Sequence, residues 1–294
     1  MQSLQQEAPL HMPPIAVGEL GIVRVVDCIE HFNPRIILRD VGYEHLEPHL
    51  DWLRPNFLDE QHKLLMPIQS FVFRTRHHTV LIDTCVGNDK RSGFRQWNQR
   101  SSAFLDSLRA AGFPPESIDF VFCTHLHVDH AGWNTRLVDG RWVPTFPNAR
   151  YLFRREEYTH WEAHPEEVFR WTFDESIHPV LEAGQVDWVG ADFQVDDQLT
   201  LEPTPGHTPG HTSVHLSSAG QEAVITGDLI VHPVEVAEPQ WGQVSDYDHA
   251  LAVATRTRFL DAYTDRDVLI LGSHFADPTG VRIVDTPRGR RVRW

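Results

Sequence analysis

The chain has 294 residues, of which 41% are hydrophobic, 23% charged and 10% aromatic. That is enough apolar matter for a substantial core, and it excludes the charge-rich, apolar-poor profile of disorder. The 26 Lys and Arg stand against 41 Asp and Glu, a formal charge of −15, a field that repels polyanions, excludes generic nucleic-acid binding and favours a small neutral substrate.

Residues 1–20, with Pro13 and Pro14, read as an irregular N-terminal arm, and residues 21–294 as a single domain, since large two-sheet α/β folds reach this length as one unit. The arm has no basic start and no long apolar core, and no run in the chain approaches membrane-spanning length, so neither export nor a membrane is expected. Cys28, Cys85 and Cys123 are odd in number and lack C-x-x-C spacing, which predicts buried, reduced thiols and a cytoplasmic location.

A β-rich run at 21–28 opens the first sheet. Residues 40–66 read as a long loop carrying Pro48, Pro55, Trp52 and Phe57, of the kind often used for function or for pairing two copies. Residues 68–74 alternate, and 79–83 form a further strand. Phe104, Leu105, Leu108 and Ala111 have helical spacing within 101–111, ended by Gly112 and Pro114. A strand at 118–124 follows, then helices at 154–162 and 165–181. Strands are expected around Phe193 and at 199–203, 212–216 and 223–226, then a helix at 249–263 and a strand at 268–271. Two strand-rich halves, each with helices, predict a layered α/β architecture whose topology periodicity leaves open.

The chemistry gathers at strand ends. In F-C-T-H-L-H-V-D-H-A-G, the residues His125, His127, Asp129 and His130 lie within six positions after an apolar strand. Imidazole and carboxylate donors at this density suit zinc, iron, manganese or cobalt, and exceed what one structural zinc needs. Three further sites place His207, Asp228 and His274 beside glycine after β-like segments, in P-G-H-T, T-G-D-L and G-S-H-F. An isolated His-rich run is ordinarily an exposed loop, and His77, His78, His160, His164, His178, His215, His232 and His249 read as surface or satisfied core residues. Coincidence across four strand ends does not.

This H-x-H-x-D-H run, with the later G-H-T, G-D and G-S-H, resembles the metallo-β-lactamase-fold hydrolase superfamily, and the resemblance spans about residues 20 to 280. It implies a four-layer αββα sandwich of two mixed β-sheets flanked by helices. It also implies two divalent metal ions, zinc first with iron, manganese or cobalt as alternatives. His125, His127 and His207 are expected to hold one metal, Asp129, His130 and His274 the other, with Asp228 bridging them and a hydroxide between. Asp129 and Asp228 are the catalytic candidates, Asp129 chiefly as a ligand because a metal-bound carboxylate is a weak base. Asp83, in D-T-C-V-G-N, is expected to support the metal loop, and His211 to brace its own turn.

The narrower resemblance is to the quorum-quenching lactonase and methyl-parathion-hydrolase-like group, through L-M-P-I-Q-S-F-V-F, V-L-I-D-T-C-V-G-N-D-K and G-S-H-F. It implies hydrolysis of lactones of the N-acyl homoserine type, with organophosphate triesters or aryl esters as the alternative. A glyoxalase II-type thioesterase and a non-hydrolytic metal-binding or redox protein rank lower. Some lactonases of the family carry a tyrosine three residues after the bridging aspartate, whereas this chain has Val231, so another group must orient a carbonyl. Phe57, Trp133 and Phe275 are the candidate pocket aromatics. The expected partner is a small neutral ester, lactone or phosphotriester, with no nucleic acid and no membrane, and a homodimer is the expected assembly. Arg282, Arg288, Arg290, Arg291 and Arg293 read as solvated charge.

Overall fold

A computed structural model describes residues 13–164, 170–191 and 193–294. The first half supplies β1 (Ile15–Val17), β2 (Leu20–Phe32), β3 (Leu64–Arg74), β4 (Thr79–Ile82), β5 (Phe120–Phe122), a separate hairpin of β6 (Thr135–Val138) and β7 (Arg141–Pro144), then β8 (Arg150–Arg154) and β9 (Val186–Val189). The second supplies β10 (Gln194–Asp196), β11 (Leu199–Pro203), β12 (Thr212–Ser218), β13 (Gln221–Ile225), β14 (Val268–Leu271), β15 (Gly280–Val284) and β16 (Arg291–Arg293). They form two mixed seven-stranded sheets, ordered β1-β2-β3-β4-β5-β8-β9 and β10 through β16.

Side-chain alternation makes the layers. On β4 and β5, Val80, Ile82 and Phe122 enter a cluster with Val214, Leu216, Ala223, Ile225 and Leu271 of the second sheet. The intervening Leu81 and Val121 enter a larger cluster with Phe104 and Leu108, and Val224 and Ile270 share that cluster with Phe259 and Leu260. Each central strand is therefore covered on both faces, by a sheet on one side and a helix on the other. The helices concerned are α1 (Phe104–Ala110), α2 (Arg155–Ala163) and α3 (His249–Tyr263). The result is the αββα sandwich.

Several boundaries differ from expectation, each for a tertiary reason. Part of the expected arm lies outside the described residues, and its described end, Ile15–Val17, pairs with β2; three residues are too short to show a period. The helix expected from residue 101 starts at Phe104, because the Ser102 hydroxyl is committed to Asp27 and its N–H to Asn88 Oδ1 (2.8 Å). α3 starts where Asp248 caps it, accepting from Leu251 N–H at 2.9 Å.

Residues 165–169 of the helix expected at 165–181 lie outside the described residues, and Phe173–Ile177 is a π-helix. Pro179 has no N–H to offer the Glu175 carbonyl, which instead accepts from Lys90 Nζ at 2.8 Å and from the Thr135 hydroxyl. The stretch 40–66 contains helical turns at Tyr43–Leu46, Glu47–His49 and Leu50–Leu53. The C-terminal arginines are largely paired: Arg282 with Asp267 (2.6 Å), Arg288 with Asp51 (2.7 Å), Arg290 with Asp261, and Arg291 over the Trp52 ring. No helix of the described residues is long and apolar enough to cross a membrane.

Candidate metal centre

The expected ligands and Asp83 converge because five strands end at one edge. β4 and β5 run parallel, as do β13 and β14, while β11 lies two antiparallel steps from β13 and so shares its direction. Thr212 N–H donates to Thr124 carbonyl oxygen at 3.0 Å and joins the two sheets at that edge. The carboxyl ends of parallel strands are where a fold of this kind leaves a crevice for ligands.

Three groups of donor atoms lie within 4.8 Å of one another: His125, His127 and His207; Asp129, His130 and His274; and His125, His130 and Asp228. Asp228 divides its oxygens between the first two. Oδ2 is 3.4 Å from His207 Nε2 and 3.8 Å from His125 Nε2, whereas Oδ1 is 3.2 Å from His130 Nε2 and 3.1 Å from His274 Nε2. Six of the seven residues are buried; the Asp129 side chain is 15% exposed.

Outer partners fix the rings. His130 Nδ1 lies 2.8 Å from Asp83 Oδ2, and Asp83 also accepts from Thr124 N–H at 2.8 Å. His274 Nδ1 faces the Pro67 carbonyl at 2.9 Å, and the Gln69 amide donates to the carbonyls of Gly272 (3.0 Å) and Phe275 (3.2 Å), bracketing the turn. His211 accepts the Asp228 N–H on Nε2 at 2.9 Å, and its Nδ1 lies 3.1 Å from the Thr204 carbonyl. Burial, with the His207 charge beside it, lowers the His211 pKa to about 3, so the ring stays neutral and can accept. Gly227 makes this approach feasible: its φ is +54°, and a Cβ there would come within 2.6 Å of His211 Nε2.

The donor set fits bound cations. His130 Nε2 faces His274 Nε2 at 3.2 Å, and His207 Nε2 faces His127 Nδ1 at 3.1 Å, while buried His125 Nε2 has no hydrogen-bond partner. With His130 Nδ1 committed to Asp83 and His274 Nδ1 to the Pro67 carbonyl, the two Nε2 atoms turn lone pairs toward each other, an arrangement that a cation between them relieves. Burial alone would keep His130, His207 and His274 neutral, but Asp228 with Asp83, Asp129 or Asp246 outweighs it and raises all three. Burial and the neighbouring rings hold His125 and His127 well below the usual range. Burial opposes the Asp228 charge, yet His130 and His274 hold its carboxyl well below the usual carboxylate range. Divalent cations held among these donors would neutralise the same carboxylates.

Phe57, Trp133 and Phe275 all sit in the larger hydrophobic cluster, at 0%, 4% and 0% exposure, and Val231 joins them at 3%. Arg91, Phe94, Val128 and Trp171 line a crevice beside the ligand loop that is too narrow to admit a water molecule. Sequence reading missed Glu157, Gln69, Gln243 and Asp246. Glu157 Oε1 accepts from Leu126 N–H (3.1 Å) and Trp161 Nε1 (2.7 Å), and Oε2 from Gly210 N–H (2.9 Å). The one available signal was a Glu and a Trp four apart on a helix, which share a face.

Comparison with known proteins agrees with the geometry. Residues 65–274 match the Metallo-beta-lactamase superfamily. An N-acyl homoserine lactonase of Bacillus sp is 26% identical over 154 residues, 48% of this chain and 55% of its own length. The chain spans little more than half, or less, of the curated relatives it matches. The hydrolase AbOPH superposes with a TM-score of 0.78 at 22% identity, covering 95% of this chain and 96% of that one. AidC, a dizinc quorum-quenching lactonase in complex with its product, superposes at 0.73 with 24% identity and coverage of 95% and 96%. With its ligand motifs at the ends of the central strands and the family match spanning most of its length, the chain belongs to the metallo-beta-lactamase superfamily.

Proposed function

We propose that the protein is a dinuclear metal-dependent hydrolase that opens lactones of the N-acyl homoserine type or related esters. The observation that carries this reading is the division of Asp228 between two groups of buried histidines. His125, His127 and His207 would hold one cation, Asp129, His130 and His274 the other, and Asp228 both. Four carboxylates stand in or directly behind the centre, Asp83, Asp129, Asp228 and Asp246, and two divalent cations balance their charge. Zinc suits these donors, as do iron, manganese and cobalt. When bound, the pair of cations supplies a water of lowered pKa and electrophilic stabilisation of oxygen charge.

The chain's own residues hold and orient. Asp83 and the Pro67 carbonyl aim His130 and His274, and His211 and Gly227 set the backbone of Asp228. Asp129 is the most open of the seven donors. Similarity to AidC and to the Bacillus lactonase supports the lactone reading. Phosphotriesters or aryl esters form the second reading, favoured by Val231, a buried apolar residue with no donor for a lactone carbonyl. Trp133 and Phe275 are proposed to stiffen the site from beside the ligands His130 and His274. The proposal includes a homodimer, and a light-scattering mass of 33.8 kDa, that of one chain, would count against it.

The test is parallel hydrolysis of N-acyl homoserine lactones of several chain lengths, paraoxon-type triesters and aryl esters by metal-replete and chelated protein. Chelator-sensitive turnover led by lactones in kcat/KM supports the first reading; triesters or aryl esters leading transfers support to the second.

A further inference from the structure

Two carboxylates stand behind histidines of the centre, and one of them lies in no recognisable motif. Asp246 Oδ1 is 3.2 Å from His207 Nδ1, and its side chain is fully buried. Its other oxygen accepts the Gln243 N–H at 2.8 Å. The side-chain amide of Gln243 donates to the Asp228 carbonyl at 2.9 Å and to Glu235 Oε1 at 3.3 Å. Backbone bonds lay this segment along the ligand loop: Tyr247 N–H donates to the His207 carbonyl at 3.0 Å, and Asp248 N–H to the Gly206 carbonyl at 2.9 Å. Beneath lies Arg256, 0% exposed, paired with Glu235 at 3.0 Å and donating to the Leu229 carbonyl at 2.7 Å.

We propose that Asp246 is the positioning residue that makes His207 a metal ligand, and that Gln243 ties Asp246 to Asp228, so that a ligand of one metal and the carboxylate shared by both are set as one unit. An imidazole can present either nitrogen, and a carboxylate on Nδ1 keeps the proton there. That leaves the Nε2 lone pair facing His127 Nδ1 at 3.1 Å and Asp228 Oδ2 at 3.4 Å. The Gln243 amide acts on the other side, at the backbone of Asp228. The bracket is assembled across sequence separations of 39 and 15 residues. This inference rests on the dinuclear reading.

The experiment titrates metal-free protein with Co²⁺ against a competing chelator, with circular dichroism to confirm folding. Wild type takes up two equivalents. Asp246→Asn keeps the side-chain shape and removes the charge; it weakens about 10–100-fold the step that His207→Ala abolishes and leaves the other within about threefold. Gln243→Met weakens both steps, because Asp228 faces both groups. Unchanged affinity at both steps in Asp246→Asn overturns the positioning role, and unchanged affinity in Gln243→Met overturns the coupling, each independently of whether the other variant folds. Wild type that takes up fewer than two equivalents is a different failure: it removes the dinuclear reading and this bracket with it.

Discussion

Glu157 Oε1 receives the backbone N–H of Leu126 at 3.1 Å, from between the candidate donors His125 and His127. Its second oxygen receives Gly210 N–H at 2.9 Å, three residues beyond His207. One buried side chain of α2 thus clamps two ligand loops that come from different sheets. Replacing it with alanine removes the acceptor of two buried backbone donors, those of Leu126 and Gly210. Glu157→Ala is expected to lose about 2–4 kcal/mol in denaturant unfolding, and Glu157→Gln clearly less. Equal midpoints for Glu157→Ala and wild type would refute the clamp.

Asp228→Ala is expected to lose metal and activity together. Its carboxylate faces both groups of histidines, so its removal would take the shared counter-charge from the two cations proposed there. Elemental analysis should show depleted metal, and kcat/KM should fall by more than about 100-fold. Full metal content with full activity contradicts the bridging assignment.

Lys90 predicts a pH dependence of stability. It is 2% exposed, donates to Thr135 Oγ1 at 2.5 Å and to the Glu175 carbonyl, and lies over the Trp142 ring. Burial lowers its pKa from 10.5 to about 6, against the pull of Glu175 and Asp89. Between those two values the unfolded chain binds a proton that the folded chain does not, so this residue makes stability rise with pH across the interval and adds no slope below about 6. The limiting slope is about 1.4 kcal/mol per pH unit. Lys90→Met should flatten the rise seen in unfolding between pH 6.5 and 9, and the Glu175 carbonyl keeps the Thr135 hydroxyl as donor. Parallel curves for variant and wild type would count against a neutral, buried lysine.

Metal removal should lower the thermal midpoint. Cations that bind only where the folded chain gathers these donors would stabilise that state by mass action. Dialysis against chelator is expected to lower Tm by several degrees, and adding back Zn²⁺ or Co²⁺ to restore it. A Tm indifferent to both treatments would mean that no cation is held by these donors.

The ligand motifs were legible because each follows a central strand, and strand ends announce themselves. F-V-F before C-T-H-L-H and V-L-I-L before G-S-H are short apolar runs that stop at polar residues beside turn-formers. The same logic located α3 and β14, whose ends are set locally, one by the Asp248 cap. Where an end was set from elsewhere in the chain, the reading failed: Ser102 is held by Asp27, and the π-helix is held open by Lys90 and Thr135.

The sequence by itself therefore determined the layered class, the family and the identity of the candidate donors, because these depend on periodicity and on short runs of neighbouring residues. Only the tertiary structure decided which oxygen of Asp228 faces which histidines, and that Asp246 and Glu157 stand behind the candidate donors. A carboxylate brought 39 residues through space to a histidine looks, in sequence, like any solvated aspartate. Its buried state is a property of the packing around it, which no local pattern encodes.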